Sequence, residues 1–214
     1  MNRMAFLTAS LFSFVAVAQT ATPEHVRGQV VSVDGSTLAV KSGNGKTTKL
    51  TVADDVKVSL AEKGEMSDVK DGAFIGTTAV PGKDGTLRAI EVHVFPDSMR
   101  GTGEGHRPWD LRPGSTMTNA TVSKMDESGG GKSASTMTNA TVSKVVGHKL
   151  SLTYKDGEQT VVVPSNAKVV KLEPGDRSQL KPGVHLFAIA AKQSDGSLRA
   201  LRLTIGKDGL VPPM

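Results

Sequence analysis

Seven residues able to supply charge, hydrogen bonds or a ring fall between positions 100 and 112: Arg100, Glu104, His106, Arg107, Trp109, Asp110 and Arg112. Arginine and tryptophan are favoured at the centres of recognition surfaces. A guanidinium reads carboxylates and phosphates through paired donors, and an indole stacks or donates one N–H. This cluster is therefore the candidate contact surface for a ligand or partner. The competing reading is structural: an ordered linker, with Trp109 packed on a domain and arginine–aspartate pairs bracing it. The same region also offers ligands for a soft metal. Glu104, His106 and Met99 or Met117 would combine carboxylate, imidazole and thioether, and thioether suits copper.

Other chemistries find less support. The chain has no cysteine, which excludes thiol catalysis, thiolate metal sites and disulfides. His25, His93, His106, His148 and His185 do not recur at metal-ligand spacing. No Gly-x-Ser-x-Gly nucleophile turn occurs. Gly129-Gly130-Gly131-Lys132-Ser133 resembles the end of a phosphate-binding loop, but Asp126 stands where that motif needs its first glycine. The expectation is a protein that is not an enzyme and carries no cofactor. The net charge is +5, with lysine and arginine scattered, and aromatic residues make up 4%. Nucleic-acid binders cluster their basic residues and stack bases on rings, so a nucleic-acid partner is not expected. That leaves a protein, an envelope component or a small molecule.

The elements that position the cluster are read from an internal repeat. Shifted by 111 residues, Val52–Val94 falls on Val163–Ile205 with fourteen identities in 43 positions. Asp84–Val92 (DGTLRAIEV) against Asp195–Leu203 (DGSLRALRL) is the clearest block. Upstream the shift becomes 112, placing Val30, Val33, Gly35, Leu38 and Gly45 on Val142, Val145, Gly147, Leu150 and Gly157. Within each copy, apolar residues alternate with polar ones in short runs broken by glycine turns, the pattern of hairpins. Ser67–Gly72 and Ser178–Gly183 read as single helical turns with serine caps and glycine stops. Three strands, a helical link and two strands describe a small five-stranded barrel of OB type. The expected fold class is all-β, with two tandem OB-like barrels of five strands each, one over 26–96 and one over 136–207. Residues 97–135, rich in glycine, proline and arginine, read as a linker containing a twenty-residue duplicated insertion, and 208–214 as a tail.

That insertion is visible as STMTNATVSK, which occurs at Ser115–Lys124 and again at Ser135–Lys144. Two identical segments compete for one strand position. The downstream copy is expected to hold it, because Val145 continues the strand while the upstream copy runs into Asp126 and three glycines. The upstream copy is then an excursion or an added edge strand.

At the N-terminus, Arg3 precedes an apolar run that ends in Ala16-Val17-Ala18. This is the pattern of an export signal, residues 1–18, cleaved after Ala18. The run is short for a membrane span, and no transmembrane bundle is expected. A periplasmic location follows, with secretion as second choice.

The opening VSVDGSTLAV, the links SDVKDG and SQLKPG and the closing DG-x-LRA segments resemble a bacterial family of small exported β-barrel domains with no assigned function. MRGTGEGHRPWDLRPGSTMTNATV is similar to a stretch of Gram-negative periplasmic proteins. Together the likeness spans nearly the whole mature chain. Some relatives carry automatic names such as metal ABC transporter permease. This chain departs from that name, having one leader and no spanning bundle. The resemblance implies fold and compartment, and it suggests the alternative of a periplasmic metal-binding or metal-transport accessory protein.

Overall fold

The structure, a computed structural model, describes residues 23–128 and 147–214. The expected leader, the Gly-Gly-Gly-Lys-Ser run and the downstream decamer lie outside the described residues. The fold is all-β, and the thirteen strands among the described residues join in one continuous hydrogen-bonded network. In chain order these are β1 (Glu24–Asp34), β2 (Thr37–Lys41), β3 (Thr47–Thr51), β4 (Lys57–Lys63), β5 (Phe74–Pro81), β6 (Leu87–Val94), β7 (Gly105–Pro108) and β8 (Thr116–Ser128). After the undescribed segment come β9 (Gly147–Tyr154), β10 (Gly157–Pro164), β11 (Lys168–Pro174), β12 (His185–Lys192) and β13 (Leu198–Gly206). A single 3-10 turn forms near each expected helical link, but over Met66–Asp68 and Arg177–Gln179: Glu65 and Asp176, rather than the serines, are the caps, each in a reciprocal capping box, and the turns end at Val69 and Leu180, ahead of Gly72 and Gly183.

Pairing closes in five-strand circuits. β1 pairs with β2 and β12, β2 with β3, and β12 with β13, and a parallel contact from β3 to β13 completes a barrel. A second circuit runs β8–β9–β10–β6–β5 and returns to β8, again with one parallel step, between β10 and β6. Neither circuit uses one sequence repeat. The first joins β1–β3 to the closing hairpin of the second repeat, and the second joins β8–β10 to the closing hairpin of the first. The expected order, one barrel per repeat, is therefore not the pairing found.

The strands missed in the sequence explain this exchange. The sequence pattern assigns no element to β4 or β11. Instead each runs straight from one circuit to the other, pairing parallel with β13 and β6 respectively and antiparallel with its counterpart. Their burial alternates identically. Ala61 lies opposite Leu172, and the 111-residue shift equates these same two positions. A pseudo-two-fold axis passes through this pair. An extended crossover pairs its backbone groups with strands on both sides, where a connection through solvent would leave them to water.

The linker expectation for 97–135 also needs correction, since β7 and β8 lie within it. β8 is the upstream decamer extended by Met125–Ser128. It carries a bulge between Val122 and Lys124 where it meets β9, matching the bulge between Val30 and Ser32 where β1 meets β2. Val122, fully buried, thus takes the position expected for Val142. The upstream copy prevails because it gains partners at both ends: β7 at its start and, through Asp126–Ser128, three further pairs with β9.

Alternation fills each barrel with aliphatic side chains. Val30, Leu38, Leu50, Leu186, Leu203 and Ile205 sit in one core; Val122, Leu150, Val161, Ile75 and Val92 hold matching places in the other. At about 25 cal/mol per Å² of apolar surface removed from water, these interiors drive folding in a chain without disulfides.

Candidate functional site

A third layer lies between the barrels, around the pseudo-two-fold axis. Its apolar part is Ala61, Leu172, Phe187 and Met214, with Phe95, Trp109, Ile189 and Leu210 packed against them. Outward-facing residues of barrel strands complete it. Glu91 and His93 on β6 alternate with core residues and point away from their own barrel, yet they are only 2% and 1% exposed. Ser59, Asn119 and Thr204 are buried in the same way. On an isolated barrel these polar positions would face water. Here the other barrel and the segment from Phe95 to Ser115, which straps across the groove, cover them.

The strap is held by its own polar residues. Asp110 accepts two hydrogen bonds from the Arg27 guanidinium, at 2.6 and 3.0 Å, and stands 2.8 Å from His25 Nδ1. Partial burial alone would raise its pKa, but the hydrogen bonds from Arg27 and His25 prevail and hold it at about 2. Trp109 stacks 4.3 Å from the His25 ring and 6.0 Å from Phe187. Arg100 bonds the Gly72 carbonyl and Asp97. Glu104 accepts the Lys155 backbone N–H, and His106 Nδ1 lies 2.8 Å from Thr118 Oγ1. Arg112 is bound through its backbone N–H and carbonyl to Ser115 Oγ, closing the loop that begins at Trp109.

Beneath the strap is a cavity of about 50 Å³. That is room for a group of a few heavy atoms. Of the seven residues singled out in the sequence, Arg107 and Trp109 line it. The other five brace the strap or lie at its margins. Met99 and Met117 also line it, whereas Glu104 and His106 do not, so the suspected metal ligands are not brought together. Among the described residues no group of three histidine or acidic side chains is placed to hold a metal ion.

Sequence reading missed Arg202, His93, Asn119 and Thr204, which line the cavity from β13, β6 and β8. The available signal was positional. Glu91 and His93 correspond through the repeat to Arg202 and Thr204, and all four alternate out of phase with the cores.

Three polar atoms around this layer are buried without a partner: His93 Nε2, Trp109 Nε1 and Asn119 Oδ1. His93 Nε2 lies 3.5 Å from Glu91 Oε1 without a hydrogen bond, while Glu91 accepts from Thr78 Oγ1 at 2.8 Å. Buried polar atoms are nearly always paired, so a concentration of orphans beside a cavity marks where a further group would fit. Arg107 donates to the Gly103 carbonyl and lies over the Trp109 ring at 5.6 Å. Burial lowers its pKa, and the nearby Arg202 charge lowers it further. A larger groove of about 490 Å³ runs along Lys63–Met66, Lys168–Val170 and Leu210–Pro213, but no such orphaned atom lines it.

No protein-family model, curated protein or solved structure matches this chain.

Proposed function

We propose that the chain is a non-enzymatic binding module of the bacterial envelope, exported to the periplasm, whose ligand enters the cavity beneath the 95–115 strap. In this reading its barrels are of OB type that have exchanged halves. The circuit order β1–β2–β3–β13–β12, with its one parallel step, supports that assignment. The carrying observation is the cavity itself, where orphaned buried polar atoms meet a strap held in place by Asp110, Arg100 and Ser115. The contact surface is then the linker and the adjacent barrel faces.

Within the cavity a catalytic reading finds no hydroxyl set on a base. Ser59 and His93 line the same cavity, but the Ser59 hydroxyl lies against Met99 Sδ at 4.0 Å rather than on a base. The metal-accessory alternative is disfavoured by charge, since two guanidiniums line the cavity and oppose a cation.

Native mass spectrometry of the mature protein purified from its own periplasm tests the proposal. A bound small molecule that is absent from an Arg107→Ala, Trp109→Ala double variant is the expected result. A clean protein mass, with no thermal shift from a panel of carboxylates, phosphates, sugars and metal ions, overturns it.

A further inference from the structure

Around Gly103, the strap brings together donors from three parts of the chain. A Cβ built on this glycine would lie 3.3 Å from Asn119 Nδ2, 3.4 Å from Arg107 Nη2 and 3.8 Å from Arg202 Nη1. Three donor nitrogens thus converge beside Gly103, two of them cationic; Asn119 Nδ2 gives one N–H to the Thr102 carbonyl at 3.0 Å and keeps its second. Gly103 has φ 58°, a conformation glycine adopts without strain, and the absence of a side chain lets the three nitrogens approach its Cα closely.

Nothing in the described structure neutralises these charges. The ion pairs among the described residues occupy Arg27, Arg88, Arg100, Arg177 and Arg199 and leave Arg107, Arg112 and Arg202 out, of which Arg107 and Arg202 line the cavity. Acidic groups of this region are engaged elsewhere: Asp110 with Arg27 and His25, Glu91 with Thr78 beside His93, and Glu104 with the Lys155 backbone N–H. Two like charges in a partly buried setting repel, and a protein gains nothing from that arrangement unless an anion joins them.

We propose that the group recognised in this cavity is an oxyanion, a carboxylate or phosphate carried by a small molecule, held by Arg107 and Arg202 with the Asn119 amide as third donor. This rests on the cavity being the ligand site. Arg107 is preorganised by its bond to the Gly103 carbonyl and its place over Trp109, whereas Arg202 has no partner among the described residues and swings onto the ligand. The cavity has room for one such group and little more, so the remainder of the molecule extends outward past the strap.

The test is titration calorimetry on the mature protein with acetate, succinate, inorganic phosphate and sulfate at constant ionic strength, with chloride and glucose as controls. At least one oxyanion binds, and the carboxylate and phosphate arms separate the two sources. Charge-assisted hydrogen bonds dominate such contacts, so Arg202→Gln weakens binding about ten- to hundredfold. The same substitution leaves the ligand-free melting temperature unchanged or raised, because it relieves repulsion; a merely structural arginine would lower it. Gly103→Ala, which puts a methyl among the three nitrogens, weakens binding as well. Glucose or another neutral probe binding while no oxyanion does would overturn this inference and leave the binding reading standing. Oxyanion binding unaltered in Arg202→Gln would overturn it too. Silence from every probe would count against both.

Discussion

The two barrels share a backbone plan and differ in the faces they turn toward each other. Inside, apolar answers apolar: Leu50 corresponds to Val161, Leu186 to Ile75 and Leu203 to Val92. On the facing surfaces the correspondence fails. Phe187 stands where the other barrel has Gly76, Arg202 where it has Glu91, and His25 where it has Met117. One face is aromatic and cationic; the other is small, polar and thioether-bearing. The interiors answer only to the requirement of dense packing, which any aliphatic set of suitable volume meets. The faces meet around a pseudo-two-fold axis, and identical faces there would make any cavity between them two-fold symmetric in shape and charge. The asymmetry gives the groove a one-sided shape and charge, on which the proposed site rests.

The largest test of this contrast is Phe187→Ala. The ring is 4% exposed and packs against Trp109, His25 and the Arg27 guanidinium. Truncation should cost about 3–5 kcal/mol in urea unfolding, the range for a buried phenylalanine. A loss below about 1 kcal/mol would mean that the inter-barrel layer contributes little, and that the barrels stand independently.

Gly76→Ala probes the other face. Its Cβ would come 2.6 Å from Asn119 Oδ1, 3.2 Å from the Phe95 ring and 3.4 Å from His93 Nδ1. Something must move, and overpacking of this kind costs about 1–3 kcal/mol. Asn119 is also one of the three donors at Gly103, so the variant should weaken ligand binding together with stability. A neutral or stabilising result would show that the Asn119 side chain relocates freely, which is incompatible with a preorganised donor.

Much of the fold was legible because its signals are local. Asp34-Gly35, Ser42–Gly45 and Asp84-Gly85 mark turns, and alternation between them marks strands, wherever those strands later pair. The exchange of halves was not legible. Which hairpin closes a barrel depends on pairing between residues more than a hundred positions apart, and both repeats present the same pattern. β4 was overlooked because Lys57-Val58-Ser59-Leu60 looks like a connection until its partners are known. The site was half legible. Arg107 and Trp109 stood out in a segment of unusual composition. Arg202 and His93 looked like ordinary solvent-facing strand residues, Asn119 lay in a segment read as linker, and only the second barrel and the strap bury them.

A smaller effect is expected at Asp110, which ties the strap to β1. Its pKa in the folded state, about 2, lies below the unfolded value, so its contribution is complete above about pH 4 and fades as pH falls through 2. The side chain is 52% exposed, and solvent screening reduces the contribution to about 1 kcal/mol. Asp110→Asn should therefore lower stability at pH 7 by about that amount and leave it nearly unchanged at pH 2. Equal losses at both values would mean that packing, rather than charge, fixes the strap.

The smallest effect is expected from removing the duplication. Deleting residues 115–134 joins Gly114 to Ser135 and restores a single STMTNATVSK, followed by Val145 where Met125 now stands. The ten residues that fill the β8 position are unchanged, and so is every pair they make with β5 and β7. The pairs of Glu127 and Ser128 with His148 and Gly147 are lost. In return the hairpin shortens to the length of β1–β2, and a tighter connection lowers the cost of loop closure, which varies only with the logarithm of length. The two contributions oppose each other, so stability should change by no more than about 1 kcal/mol, read as a small shift in melting temperature. The deletion would also make the two barrels alike at this hairpin. Unchanged ligand binding in the shortened chain would confine the functional asymmetry to the facing surfaces. A loss of several kcal/mol would instead place part of it in Met125–Ser128, as an extension the protein depends on.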